Sequence, residues 1–109
     1  MPFVLLELSL ALIRLLKKLI AKIAVRDRDL ANQIQRAASS VPLNVSEARR
    51  RNGRDRLHLF RVALGSAAET ATALEVAVGW GYLGDDEVAE ALAVLDRIRA
   101  MAWRAAKAG

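Results

Sequence analysis

The amino-acid sequence predicts an all-α protein, an antiparallel up-down-up-down four-helix bundle, from three observations. Hydrophobic residues make up 54% of the chain but aromatic residues only 5%, so the apolar content is mostly Ala, Leu, Val and Ile, which pack helices closely. Apolar residues recur at steps of three and four in four segments. Two prolines and six glycines leave few places for turns. The 109 residues fit a single domain, 1–109, with helices expected at about 3–24, 28–51, 55–80 and 86–107.

The first helix carries an apolar stripe wider than one bundle core needs. Its core positions repeat at steps of three and four: Leu5, Leu8, Leu12, Leu15, Leu16, Leu19 and Ile23. The stripe is widened by Leu6, Leu10, Ile13 and Ile20. Two interpretations remain open at this point. The helix is either covered on all sides by its own bundle or keeps a second apolar face for a partner subunit.

The same segment is apolar enough to require a comparison with membrane helices. Charged residues interrupt it at Glu7, Arg14, Lys17, Lys18 and Lys22, so no run approaches the roughly 20 apolar residues of a membrane span. A signal peptide has its positive charges before the apolar run, whereas here they follow it. We expect a cytoplasmic protein that does not bind membranes, which the absence of cysteine suits. A helix lying on a membrane surface is the alternative.

The second helix begins after an aspartate cap, at Asp27 or Asp29. One face is apolar: Leu30, Ile34, Ala37, Ala38, Val41, Val45 and Ala48. Pro42 lies within this pattern, and the helical phase continues beyond it. Because an internal proline removes one backbone hydrogen bond and clashes with the preceding turn, we predict a kink near residues 39–40 and not a helix end.

The third helix follows a break at residues 51–53, where Asn52 or Gly53 can adopt a left-handed conformation. Alanines and Gly65 along its inner stripe allow a neighbouring helix to approach closely. Glycines between 79 and 84 end it. Two aspartates at 85–86 then begin the fourth helix, whose basic residues cluster toward its C-terminus, as the helix dipole favours.

Two motifs in the second and third helices resemble a known protein family. The segment Gln33–Glu47, QIQRAASSVPLNVSE, resembles the pattern QLRRAAxSIPxNIAEG. Further on, the chain matches the pattern F…ALGSxxE…GYL in order and spacing. The matching residues are Phe60, the run ALGS at 63–66, Glu69 and the run GYL at 81–83. The family is that of the 23S ribosomal RNA intervening-sequence proteins, which are four-helix bundles. Its distant relatives include the accessory variability proteins of diversity-generating retroelements.

The resemblance extends over roughly residues 30–83 and departs from the family pattern at two positions. Ala48 stands where glycine is usual, and Ala71 where a second acidic residue is common. The resemblance implies a bacterial protein that forms a homo-oligomeric ring, commonly a pentamer. It also implies a reverse transcriptase or its RNA as the kind of partner, and neither catalysis nor a small-molecule substrate.

A cluster of six arginines spans the end of the second helix, the following turn and the start of the third helix. This arginine cluster consists of Arg49, Arg50, Arg51, Arg54, Arg56 and Arg61. Guanidinium groups match phosphate oxygens in pairs, and the net charge of +5 attracts nucleic acid. We interpret the cluster as an RNA- or DNA-binding site; an acidic protein partner and a solvated surface are the alternatives. Only Phe60 is interleaved with the arginines, so base stacking is not expected here.

A polar stripe of the second helix faces polar residues of the third in this interpretation. We predict an interhelix polar network of six residues: Gln33, Arg36, Asn44, Glu47, Ser66 and Glu69. In this hypothesis Arg36 pairs with Glu69 or Glu47 and sets the helix register. Exposure of the stripe to solvent, or contact with another subunit, is the alternative.

The sequence offers no constellation for catalysis, a metal or a cofactor. His58 is the only histidine, and no Gly-rich phosphate loop follows a strand. Trp80, Tyr82 and Trp103 are interpreted as packing or interface anchors. We therefore predict a non-enzymatic scaffold that assembles into a ring and presents the arginine cluster to RNA or a nucleoprotein partner. The alternative function is an adaptor that binds another protein, such as a reverse transcriptase, without contacting nucleic acid.

Overall fold

Four helices account for nearly all of residues 2–108, the part of the chain that this computed structural model describes. They are α1 (Pro2–Arg26), α2 (Arg28–Ala48), α3 (Gly53–Gly79) and α4 (Asp85–Ala108). Each helix packs against the next one in the chain, and α4 packs against α1, which closes the bundle. The predicted all-α four-helix bundle is thereby confirmed. Its long dimension of 43 Å is close to the length of a helix of 27 residues at ~1.5 Å per residue.

The core is built from one buried stripe of each helix. Its largest fully buried side chains include Leu12 and Leu16 of α1, Ile34 of α2, Phe60 of α3 and Leu95 of α4. The inner stripe of α3 between Phe60 and Leu74 consists mainly of small residues: Ala63, Ala67, Thr70, Ala71 and Ala73. Because alanine projects only a methyl group, this stripe allows the neighbouring helices to pack closely against α3.

The outer side of α1 is not enclosed by the other three helices. Leu10 is 43% exposed, and Val4 is also exposed. Leu6, Ile13 and Ile20 are half-buried against the core. The helix is therefore not covered on all sides within one chain, and the first of the two interpretations of its wide stripe does not hold. None of the helices in the described residues has the length and apolarity that a membrane span requires.

One end of the bundle joins the α1–α2 junction to the α3–α4 turn. Asp27 is the N-cap of α2, and its carboxylate accepts a hydrogen bond from the backbone N–H of Leu30 at 3.0 Å. The other carboxylate oxygen of Asp27 accepts from the Tyr82 hydroxyl at 3.2 Å. Partial burial, followed by this hydrogen bond, raises the pKa of the Tyr82 phenol above its usual value.

The α3–α4 turn contains two capping motifs. Gly81 has a φ of +79°, and the N–H of Tyr82 bonds to the carbonyl of Ala77, the pattern of a Schellman motif. At the start of α4, the Glu87 carboxylate accepts from the backbone N–H of Gly84 at 2.8 Å. Its second oxygen accepts from the Lys22 ammonium of α1 at 2.7 Å. The Lys22 bond and then the Gly84 bond lower the pKa of Glu87.

Pro42 lies inside α2 and is buried, and the helix continues past it to Ala48. A bend of the helix axis at this proline stays a prediction. The helix ends three residues before position 51, where the end was expected, because the amides of Arg50 and Arg51 bond to carbonyls three residues back and tighten the chain into a turn. Gly53, with a φ of +60°, is the left-handed residue that begins α3.

Candidate nucleic-acid interface

The arginine cluster lies at the opposite end of the bundle from the Tyr82–Asp27 hydrogen bond. Arg49–Arg51 follow the last turn of α2, whereas Arg54, Arg56 and Arg61 belong to the first turns of α3. The sequence therefore located the cluster on a turn between two helices, and the structure brings the six side chains to one end of the molecule.

Three members of the arginine cluster contact other side chains of the chain. Arg51 forms an ion pair with Glu47 at 2.8 Å, one helical turn earlier. The Arg49 guanidinium lies 4.8 Å from the centre of the Phe3 ring. The Arg56 guanidinium lies 5.4 Å from the centre of the buried Phe60 ring. Cation–π contacts of this kind orient a guanidinium without neutralising its charge.

The remaining three arginines have no such partner in the part of the chain that the structure describes. Arg50, Arg54 and Arg61 are exposed. Within residues 2–108, no carboxylate lies within ion-pair distance of any of them, including the neighbouring Asp55. Within these residues, the N–H donors of the three guanidinium groups remain available to an external anion.

The start of α3 adds to the positive potential of this end. Asn52 occupies the N-cap position, but its side chain makes no capping hydrogen bond. The first N–H groups of a helix carry partial positive charge, and Arg54 and Arg56 add two positive charges beside them, of which Asp55 in the same turn offsets one. An anion at this turn would relieve that concentration of positive charge, so the arrangement favours a ligand that carries phosphate or carboxylate groups.

The predicted interhelix polar network is present only in part. The Ser66 hydroxyl of α3 donates to the Ser40 hydroxyl of α2 at 2.9 Å, and the Asn44 amide donates to the same hydroxyl at 2.9 Å and to the Ser40 carbonyl at 2.7 Å. Thr70, which the sequence analysis did not single out, is fully buried and donates to the Ser66 carbonyl at 2.8 Å. Its position four residues after Ser66 is the signal that indicates such a bond.

The expected ion pairs of Arg36 are not formed among the described residues, and this part of the hypothesis requires correction. Arg36 and Glu69 are both exposed, and Glu47 pairs with Arg51 instead. Arg36 and Glu47 are eleven residues apart on α2, which is ~16 Å along the axis, so one ion pair cannot join them. Gln33 is also exposed and lines a shallow groove with Glu69, while Arg36 lines a separate depression on α2.

The structure also places the histidine and the aromatic residues that the sequence singled out. His58 is exposed on the first turns of α3. Among residues 2–108, no three His, Asp or Glu side chains are grouped as a metal site would need. Of the three expected anchor residues, Tyr82 is half-buried and hydrogen-bonded, whereas Trp80 and Trp103 are exposed in the single chain.

Comparisons with known proteins add a family and a structural neighbour. The model of the family described as 23S rRNA-intervening sequence protein matches residues 5–104. A solved structure from Bacteroides thetaiotaomicron, a protein of unknown function from the S23 ribosomal protein family, is similar to this chain with a TM-score of 0.80. The two sequences are 22% identical over 90% of this chain and 94% of that one, so the likeness establishes a shared fold. No curated protein matches the chain.

Proposed function

The chain belongs to the family of 23S rRNA-intervening sequence proteins, and from this premise we propose that it is a non-enzymatic basic scaffold that assembles into a ring and binds RNA. In this proposal the RNA, alone or within a nucleoprotein, is held by the arginine cluster. The observation that carries the proposal is the set of three exposed guanidinium groups at the α2–α3 turn that have no acidic partner among residues 2–108.

Phosphate groups are the ligands that best match this set. Each guanidinium has a planar fork of donors that fits two phosphate oxygens, and Arg50, Arg54 and Arg61 follow one another along the turn and the first turns of α3. An RNA strand supplies phosphates in a row, whereas a protein surface supplies carboxylates at irregular spacing. The cluster therefore favours RNA over an acidic protein.

Self-assembly is supported by the outer side of α1. Leu10 is exposed and Leu6, Ile13 and Ile20 are only half-buried, and helical spacing places these four residues in one strip along one side of α1, which Lys17 interrupts between Ile13 and Ile20. Covering such a strip with a second subunit is favourable by ~25 cal/mol for each Å² of apolar surface removed from water. The pentameric number of subunits rests on the family resemblance alone.

The second candidate function is an adaptor that binds another protein and does not contact nucleic acid. Leu43, which is 69% exposed on α2, favours this alternative because a large exposed apolar side chain is typical of a protein interface. The two functions differ in their response to salt. Displacement of counterions from RNA makes binding steeply salt-dependent, whereas an apolar protein interface is much less sensitive.

The experiment that tests the proposal is binding of the purified protein to a structured RNA of mixed sequence, followed by fluorescence anisotropy at several salt concentrations. Contact with at least three phosphates predicts a loss of affinity of about 20-fold or more between ~50 and ~200 mM salt. An affinity that does not change over this range, or no detectable binding at the lower salt concentration, contradicts the proposal. The second of these results favours the adaptor function and leads to a search for a protein ligand.

A further inference from the structure

Two exposed aromatic rings accompany the arginine cluster at its end of the bundle. Phe3, near the start of α1, is 59% exposed, and Trp103, near the end of α4, is 52% exposed. Each ring has a cation over it, Arg49 for Phe3 at 4.8 Å and Lys107 for Trp103 at 4.5 Å. From the sequence, Trp103 was interpreted only as a packing or interface anchor and Phe3 was not singled out, because neither residue is near the arginine cluster in the sequence.

The topology of the bundle places both rings at this end. α4 runs antiparallel to α1, and the Lys22–Glu87 ion pair joins the end of α1 to the start of α4 at the other end of the molecule. The last turns of α4 therefore lie beside the first turns of α1 and α3. Trp103 is only five residues from Ala108, the last residue of α4, a distance of ~8 Å along the helix. Arg104 and Lys107, both exposed, extend the positive surface around Trp103.

This combination of rings and cations distinguishes between kinds of RNA. Phosphates are accessible in both single strands and duplexes, so arginines and lysines alone bind either form. Base faces are accessible only where the bases are unpaired, because a duplex stacks them against one another. Proteins that bind single strands combine a positive surface with exposed aromatic side chains on which bases stack, and stacking tolerates any base because every base has a π-face.

We propose that this end of the bundle binds a single-stranded RNA segment, with an unpaired base stacked on Trp103 and a second stacked on Phe3. The cation over each ring covers one face, and the base takes the remaining exposed side. The inference rests on the proposed RNA-binding function and adds the class of RNA that the site selects. The arginine cluster supplies the phosphate contacts, and the two rings supply the preference for unpaired bases.

The test compares a single-stranded RNA of about 12 nucleotides with a duplex of the same sequence, both at the same low salt concentration. Trp103→Leu removes the ring and retains an apolar side chain. The matched control is Trp80→Leu, since Trp80 is 68% exposed but lies at the opposite end of the bundle. Circular dichroism establishes that both variants keep the helical content of the wild type.

The proposal predicts that Trp103→Leu lowers the affinity for the single strand about tenfold and leaves the affinity for the duplex unchanged. Trp80→Leu changes neither affinity. In the Trp80→Phe protein, where Trp103 is the remaining tryptophan, addition of the single strand quenches the fluorescence and addition of the duplex does not. Phe3→Leu gives a smaller loss in the same direction.

Two results would overturn the inference and leave the proposed function intact. One is that Trp103→Leu and Trp80→Leu bind the single strand as tightly as the wild type does. The other is that Trp103→Leu weakens the single strand and the duplex equally. A third result, no binding of either RNA by the wild-type protein, would overturn the inference together with the proposed function.

Discussion

The hydrogen bond between Ser40 of α2 and Ser66 of α3 is the most direct polar link between two helices in the core region. The Ser40 hydroxyl accepts from Ser66 at 2.9 Å and from the Asn44 amide at 2.9 Å, and all three side chains are half-buried. We predict that replacing either serine with alanine destabilises the protein, and that the two replacements are not additive.

The expected magnitudes follow from these contacts. Ser66→Ala removes one hydrogen bond, and the free energy of unfolding should fall by about 1 kcal/mol. Ser40→Ala also removes one of the two acceptors of Asn44, so about 1–2 kcal/mol is expected. In the double variant both hydroxyls are absent, so neither is left without its partner. The double variant should therefore lose about 1 kcal/mol less than the sum of the two single variants, and this difference is the coupling energy. Each kcal/mol corresponds to a change in Tm of about 4 °C in a domain of this length.

The assay is urea and thermal unfolding of the wild type, both single variants and the double variant, followed by circular dichroism at one protein concentration. A fixed concentration is needed because self-association would make Tm concentration-dependent. Additive effects, with a coupling energy below about 0.3 kcal/mol, would show that the two hydroxyls do not act together and would refute this reasoning.

Three further predictions concern other contacts. The hydrogen bond from Lys22 lowers the pKa of Glu87, so the stability that this bond contributes is present above the ordinary carboxyl pKa and is lost as the pH falls through the folded-state pKa. Glu87→Gln should therefore flatten the acid side of a profile of Tm against pH. An unchanged profile would count against the bond. Partial burial and the hydrogen bond to Asp27 raise the pKa of Tyr82, so the stability that this bond contributes is present below the ordinary phenol pKa and is lost as the pH rises through the folded-state pKa. Tyr82→Phe should therefore flatten the alkaline side of the same profile of Tm against pH. Ala67 is fully buried where α3 meets its neighbours, and Ala67→Leu should lower the free energy of unfolding by about 1–3 kcal/mol in a urea titration, whereas no loss would indicate a cavity at this position.

The fold was predictable because its determinants are local in the sequence. Apolar residues at helical spacing define four segments, and glycines mark two of the connections. Helix ends were less predictable, because hydrogen bonds set them. The amide of Arg51 bonds to the carbonyl of Ala48, and α2 therefore ends before position 51 although the helical pattern of residue types continues.

The candidate site was predictable in its location but not in its details. Six arginines around one turn are visible in the sequence. Arg51 and Arg56 contact residues four positions away, which the sequence could have indicated, whereas the contact of Arg49 with Phe3 joins distant residues. Phe3 contacts Arg49 only because α1 packs against α2, and Trp103 lies at the same end only because α4 is antiparallel to α3. The expected pairing of Arg36 with Glu47 was wrong because eleven residues of one helix separate them, which the sequence already shows. Arg36 and Glu69 do not form an ion pair among residues 2–108.

The salt dependence of RNA binding by two charge-matched variants tests the central claim most directly. One variant replaces Arg50, Arg54 and Arg61 with glutamine. The other replaces three exposed basic residues outside the arginine cluster with glutamine: Lys17, Lys18 and Arg28. Both lose three positive charges. If the arginine cluster holds RNA, the first variant should show a log–log salt slope shallower by about 2 and the second an unchanged slope. Equal slopes in the two variants would contradict the claim.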